Sequence, residues 1–127
     1  MQAESGLYLQ TQIGKWRQAD ARSVLGVPTS ERDAFDEDHK ANGRVLAFAD
    51  PTGRYQQLEL DFDATSGHLR SVFAYPANLT WTQCHRLWAG KVNASLAKKG
   101  RKFYSYVDRK LDVLVDPAGK VISLGWY

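Results

Sequence analysis

The segment Tyr55–Asp63 constrains this chain more than any other. Its apolar side chains Leu58, Leu60 and Phe62 alternate with Gln57, Glu59, Asp61 and Asp63. A helix, with 3.6 residues per turn, scatters such a pattern around its axis; a strand, with a period of two, sorts it onto two faces. One face must be buried and the other is wet, which is the signature of an antiparallel sheet covered on one side. A chain of 127 residues supports one compact domain, or two small repeats sharing a core, and no apolar run nears the roughly 20 residues that span a bilayer.

The strand reading extends on both sides. Val45, Leu46 and Phe48 mark a strand over 44–50, and Asp50-Pro51-Thr52-Gly53 fits a type I turn. A third strand over 68–75 ends at Pro76, and three more are predicted at 102–107, 111–116 and 120–127. Leu9, Ile13 and Trp16 predict a short helix over 6–17, and 18–25 continues a helical pattern until Gly26-Val27-Pro28 stops it. The acidic stretch from Thr29 to Gly43 reads mostly as loop. Thr80-Trp81-Thr82-Gln83 fits a capping box. Behind it, Trp81, Cys84, Trp88, Val92 and Leu96 predict a helix over 81–99, bent at Gly90.

The two halves of the chain read alike. Leu58–Asp63, a turn with Gly67, then His68–Val72 and Tyr75 parallel Leu111–Asp116, a turn with Gly119, then Lys120–Leu124 and Tyr127. Phe48-Ala49-Asp50 likewise parallels Tyr106-Val107-Asp108. The fold class expected is α+β: two helix-plus-antiparallel-meander repeats, 1–76 and 77–127, forming one compact domain with helices packed on one face of a curved six-stranded sheet.

A resemblance supports that architecture. Gly14-Lys15-Trp16 followed by the run Ala19–Thr29, ending Leu25-Gly26-Val27-Pro28-Thr29, resembles the helix–loop of the SmpA/OmlA outer-membrane-assembly lipoproteins. The β-lactamase inhibitor protein is similar in fold, as a tandem repeat of the same unit. The resemblance covers residues 13–76, and the second half follows by pattern. It implies the fold and not the activities. A single Cys84 cannot form the inhibitor's disulfides, and no lipid-bearing cysteine stands at the N-terminus. The inhibitor's acidic hairpin residue has a counterpart in kind at Asp50, without a loop alignment to carry the role over.

Charge is divided unevenly. Residues 1–76 carry 8 Lys/Arg against 11 Asp/Glu, a net −3, and residues 77–127 carry 9 against 3, a net +6. The halves can attract one another within the fold, or the basic half can attract an acidic partner. Lys98-Lys99-Gly100-Arg101-Lys102-Phe103-Tyr104 mixes cations with aromatics, as single-strand binding requires. The same residues suit a helix end followed by a core strand, and nucleic acid is the disfavoured partner. Met1–Gly6 has neither a basic nor an apolar leader region, which fits a cytosolic chain or a mature exported one. Export, periplasmic or secreted, is the favoured expectation.

No catalytic constellation emerges. There is no Gly-x-Ser-x-Gly elbow, and Cys84 and His85 are adjacent on a helix and so do not face each other. Cys84 lies on the apolar stripe and reads as a buried, inert thiol. Glu31, Asp33, Asp36, Glu37 and Asp38 do not form a calcium loop, because Asp38 and Arg44 stand where that loop needs Gly and Glu. No metal and no cofactor are expected. Asn78-Leu79-Thr80 and Asn93-Ala94-Ser95 match the glycosylation pattern by chance, lying at or inside the predicted helix.

The function expected is a non-catalytic protein-binding or envelope-assembly module. Docking would use the sheet face or the hairpin tips near Asp50 and Asp116, with Tyr104, Tyr106, Trp126 and Tyr127 as aromatic contacts. The alternative is a small-molecule-binding or enzymatic pocket protein, in which His68, His85 or Asp61 converge on an enclosed cavity.

Overall fold

The computed structural model describes residues 8–88 and 91–127. It is an α+β protein built on a single open antiparallel sheet of eight strands. Helix α1 (Gln18–Leu25) is followed by β1 (Ser30–Phe35), β2 (Ala41–Phe48), β3 (Tyr55–Asp63) and β4 (Leu69–Pro76). Helix α2 (Trp81–Leu87) is followed by β5 (Asn93–Leu96), β6 (Lys102–Tyr106), β7 (Leu111–Val115) and β8 (Val121–Trp126). Each set of four strands is a meander, and the order β1-β2-β3-β4-β8-β7-β6-β5 joins the two through their last strands. The joint pairs Val72 with Trp126, Phe73 with Gly125 and Ala74 with Leu124.

The predicted helix stops and caps form for the reasons the residues suggest. Asp20 accepts the Arg17 N–H at 2.8 Å at the start of α1, where a carboxylate also suits the helix dipole. Gly26, at φ 90°, ends it. Thr80 and Gln83 close the capping box of α2 reciprocally, at 3.2 and 3.0 Å.

Two expectations are corrected. The acidic stretch after Thr29 is not a loop throughout, because it contains β1, an edge strand registered against β2. Asp and Glu are poor strand formers, but ion pairs from Arg44 to Asp33 (2.9 Å) and from Arg22 to Glu31 (3.1 Å) hold this one in place. The helix over 81–99 is also too long. α2 ends at Leu87 and residues 93–96 form β5 against β6, so Asn93 lies on an exposed strand, and the expected bend at Gly90 lies outside the described residues. Leu96, expected on the apolar stripe, is 84% exposed. The sheet therefore has two strands more than expected, one in each half. The predicted helix over 6–17 begins outside the described residues, and within them only 8–10 are helical.

The core lies between the helices and one face of the sheet. Leu58, Leu60 and Phe62 are all buried there, as their alternation requires. Leu46, Phe48, Val72, Ala74, Val113, Leu124 and Trp126 share the cluster, with Ala21, Cys84 and Trp88 contributed from the helical side. Each large aliphatic side chain so buried contributes about 1.5–3 kcal/mol. Both halves of the chain supply this one core.

Candidate functional site

The other face of the sheet is built by the polar half of the same alternation. Strand registers place Ser30, Ala47, Glu59, Phe73, Gly125, Asp112, Ser105 and Asn93 in one row that crosses every strand. At about 4.8 Å per strand the row is roughly 34 Å wide. No helix among the described residues covers it.

Glu59 lies near the middle of the first meander and is only 8% exposed. Arg32 reaches it from the edge strand with two hydrogen bonds, at 3.0 and 3.4 Å. The Tyr75 hydroxyl donates to its Oε1 at 2.8 Å and Gln57 donates to Oε2 at 3.1 Å. Burial pushes the Glu59 carboxyl up, but the hydrogen bonds from Arg32, Tyr75 and Gln57 and the Arg32 charge outweigh it and hold the group below its ordinary value. Burial, then the bond to Glu59, pushes Tyr75 up to about 12.

A second carboxylate, Asp61, stands two residues along the same strand. Arg70 Nε donates to its Oδ2 at 2.9 Å and Ser71 at 3.3 Å. The rest of the Arg70 guanidinium bonds Asn42 and lies over Gly43, where any Cβ would collide with it. Asp61 Oδ1 is buried without a hydrogen-bond partner. Between these charged pairs and the second meander sits Phe73, 37% exposed, with its ring over Gly125. Phe103, 36% exposed, and half-buried Leu114 continue the apolar part of the face, beside Ser105, which donates to Asp112 at 2.7 Å.

On this face Glu59 and Asp61 are paired with Arg32 and Arg70, and Asp112 accepts from the Ser105 hydroxyl. A partly exposed aromatic ringed by polar groups matches the anatomy of a docking patch.

The residues singled out from sequence are spread over the molecule. The Asp50 carboxylate is 9% exposed and accepts from Thr52 N–H, Thr52 hydroxyl and Tyr55 N–H at 2.8–3.0 Å, tying its own hairpin. Asp116 does the same for Ala118 and Lys120 N–H, at 2.9 and 2.8 Å. Trp126 and Tyr106 are each 1% exposed and so out of a partner's reach. Trp126 meets Trp88 edge-on at 6.5 Å, and Tyr106 bonds His85 Nδ1 at 2.8 Å. Tyr104 stacks on Trp81 at 3.7 Å on the covered side, and Tyr127 is 43% exposed.

Asp61, His68 and His85 do not converge. Asp61 is on the uncovered face, His68 is at the β3–β4 turn, and His85 is on α2. Cavities lie elsewhere. One, of 370 Å³, is lined by Gln10, Trp88, residues 108–111 and Trp126, and an apolar one of 270 Å³ lies beside Val24, Leu25 and Asp50. Cys84 is buried, and burial pushes its thiol up to about 12. Among the described residues no three His, Cys, Asp or Glu side chains gather to hold a metal, and no helix is long and apolar enough to cross a membrane.

Comparison with family models, with curated proteins and with solved structures found no match.

The sequence reading missed Arg32, Arg70, Phe73 and Tyr75. Phe73 carried a legible signal, since Val72-Phe73-Ala74 puts a large apolar group where the alternation calls for a polar one. The pairing of Arg32 with Glu59, 27 positions apart, carried none.

Proposed function

We propose that this chain is a non-catalytic protein-binding module whose partner docks on the uncovered face of the sheet, around Phe73. The observation that carries the reading is the unbroken row from Ser30 to Asn93, with an exposed aromatic seated over a glycine between the ion pairs of the first meander and the strands of the second. The ion pairs lower, without removing, the cost of covering Glu59 and Asp61 with a partner, since neither would be buried as a lone charge. Envelope assembly is the setting we propose for such docking.

We also read the two halves as copies of one helix-plus-meander unit, as in the β-lactamase inhibitor protein. Backbone pairing supports this. Residues 14–16 bond the start of β4, through Gly14 N–H to Leu69 O and Leu69 N–H to Trp16 O, both at 2.8 Å. Residues 79–81 also bond the start of β8, here as an antiparallel bridge, through Val121 N–H to Leu79 O and Trp81 N–H to Gly119 O, again at 2.8 Å. The pocket reading has less support, because the three polar residues it requires lie on separate parts of the molecule.

The test is a photo-crosslinking residue, p-benzoylphenylalanine, placed at 73 and, as a control, at Val27, which is 88% exposed. A discrete adduct at 73, absent at 27 and competed by excess wild-type chain but not by Phe73→Glu, is the expected result. Identical adducts at both positions, or none at 73, would overturn the reading.

A further inference from the structure

The two edges of the sheet are unlike. At one edge, β1 is guarded: Glu31, Arg32 and Asp33 are tied to Arg22, Glu59 and Arg44, and the register shifts between Ala34 and Phe35. Charges and bulges of this kind keep other strands off an edge. At the other edge, β5 (Asn-Ala-Ser-Leu) has no charge, no proline and no register shift, and all four residues are exposed. It is the last strand in the sheet order, so its outer backbone groups have no strand partner among the described residues.

Its surroundings are one-signed. Lys91 precedes it and Lys98, Lys99, Arg101 and Lys102 follow, while the sequence holds no Asp or Glu between Asp63 and Asp108. Pairing of β5 with β5 of a second copy, antiparallel, would bring Lys91 of each against the Lys98–Lys102 cluster of the other, and like charges oppose it. The β1 edge of a second copy is also a poor match, because Glu31 and Asp33 within the strand are already paired with arginines and its register shifts between Ala34 and Phe35, leaving Asp36, Glu37 and Asp38 beyond one end alone.

We propose that β5 accepts an extended segment of a partner protein as a ninth strand, and that the segment carries carboxylates at its ends. Main-chain hydrogen bonds supply the attachment and the flanking cations select the charge. Leu96 and Ala94 share one face of the added ladder and favour an apolar residue opposite them. This site is separate from the Phe73 face and does not depend on it.

The test uses the full chain, isotope-labelled, titrated with the peptide Glu-Glu-Val-Thr-Val-Thr-Val-Glu-Glu, its lysine-ended counterpart, and a ten-nucleotide oligothymidine. Expected are shifts and slowed hydrogen exchange at the amides of 93–97 with the acidic peptide alone, weakening as salt rises. Two variants at exposed positions, Leu96→Glu and the double change Lys98→Glu with Lys102→Glu, should each reduce affinity about tenfold, a loss of about 1.4 kcal/mol. Phe73→Glu should leave it unchanged, which separates this site from the docking face. No binding up to about 1 mM, equal binding of the lysine-ended peptide, or binding without protection of 93–97 would overturn the proposal. Tighter binding of the oligonucleotide at the same residues would overturn it in favour of a nucleic-acid site.

Discussion

The ring of Phe73 lies over Gly125 of the neighbouring strand, so close that a Cβ at 125 would stand 3.0 Å from its Cε1 and 3.1 Å from its Cδ1. The glycine lacks a side chain to pack, and the aromatic fills the gap from across the strands. Gly125→Ala therefore has two opposed effects. Replacing glycine in a strand gains about 0.5–1 kcal/mol, and crowding the ring costs about 1–3 kcal/mol. We expect a net loss of about 1 kcal/mol in urea denaturation of the wild-type background. With Phe73→Ala present the same change should become neutral or stabilising; additivity of the two would contradict the contact.

Glu59 links the uncovered face to acid stability. Its carboxyl is held below its ordinary value of 4.5, so its contribution is present above that pH and is lost as pH falls through the lower, folded value. Glu59→Gln should cost about 1 kcal/mol at neutral pH, a modest figure because Arg32 is more than half exposed. It should also flatten the acid limb of the stability profile below pH 4.5. An unchanged limb would show that Glu59 is not held as described.

At the alkaline end the sign reverses. Burial raises Cys84 from 9.0 to about 12, and burial with the bond to Glu59 raises Tyr75 from 10.0 to about 12. Stability from these groups is full below pH 9.0 and falls as pH rises toward 12, because the unfolded chain ionises first. Cys84→Ala should remove the earliest part of that slope, at the expense of a small cavity. In the folded wild type the thiol should resist a disulfide reagent at neutral pH and react at once in denaturant. Fast reaction of the folded protein would contradict its burial.

Asp50 is a turn-builder in this fold. Removing its carboxylate leaves the Thr52 and Tyr55 N–H groups without their acceptor, so Asp50→Ala should cost about 1–3 kcal/mol. Asp50→Asn, which keeps one acceptor oxygen, should recover part of that. Thermal melts of the three chains should rank wild type, Asn, Ala.

Local signals carried much of the architecture. The alternation over 55–63, the capping box at Thr80 and the stop at Gly26 each rest on neighbours a few residues apart, and each appears in the structure. β1 and β5 were hidden for opposite reasons. β1 is too acidic to look like a strand and is held by distant arginines. β5 lies on the end of a helix-like stripe that the chain abandons in order to pair with β6.

The amino-acid order by itself determined that this protein is α+β, that one face of its sheet is wet and that Leu58, Leu60 and Phe62 lie in the core, since a strand's pleat sorts side chains wherever it is placed. Only the tertiary structure decided that the two meanders join through β4 and β8. That joint seats Phe73 over Gly125 and completes the row that crosses both meanders, and the register of β1 on β2 on β3 brings Arg32 to Glu59. Those are pairings between residues 52 and 27 positions apart. Their register comes from the whole sheet closing over its core, and no local pattern encodes it.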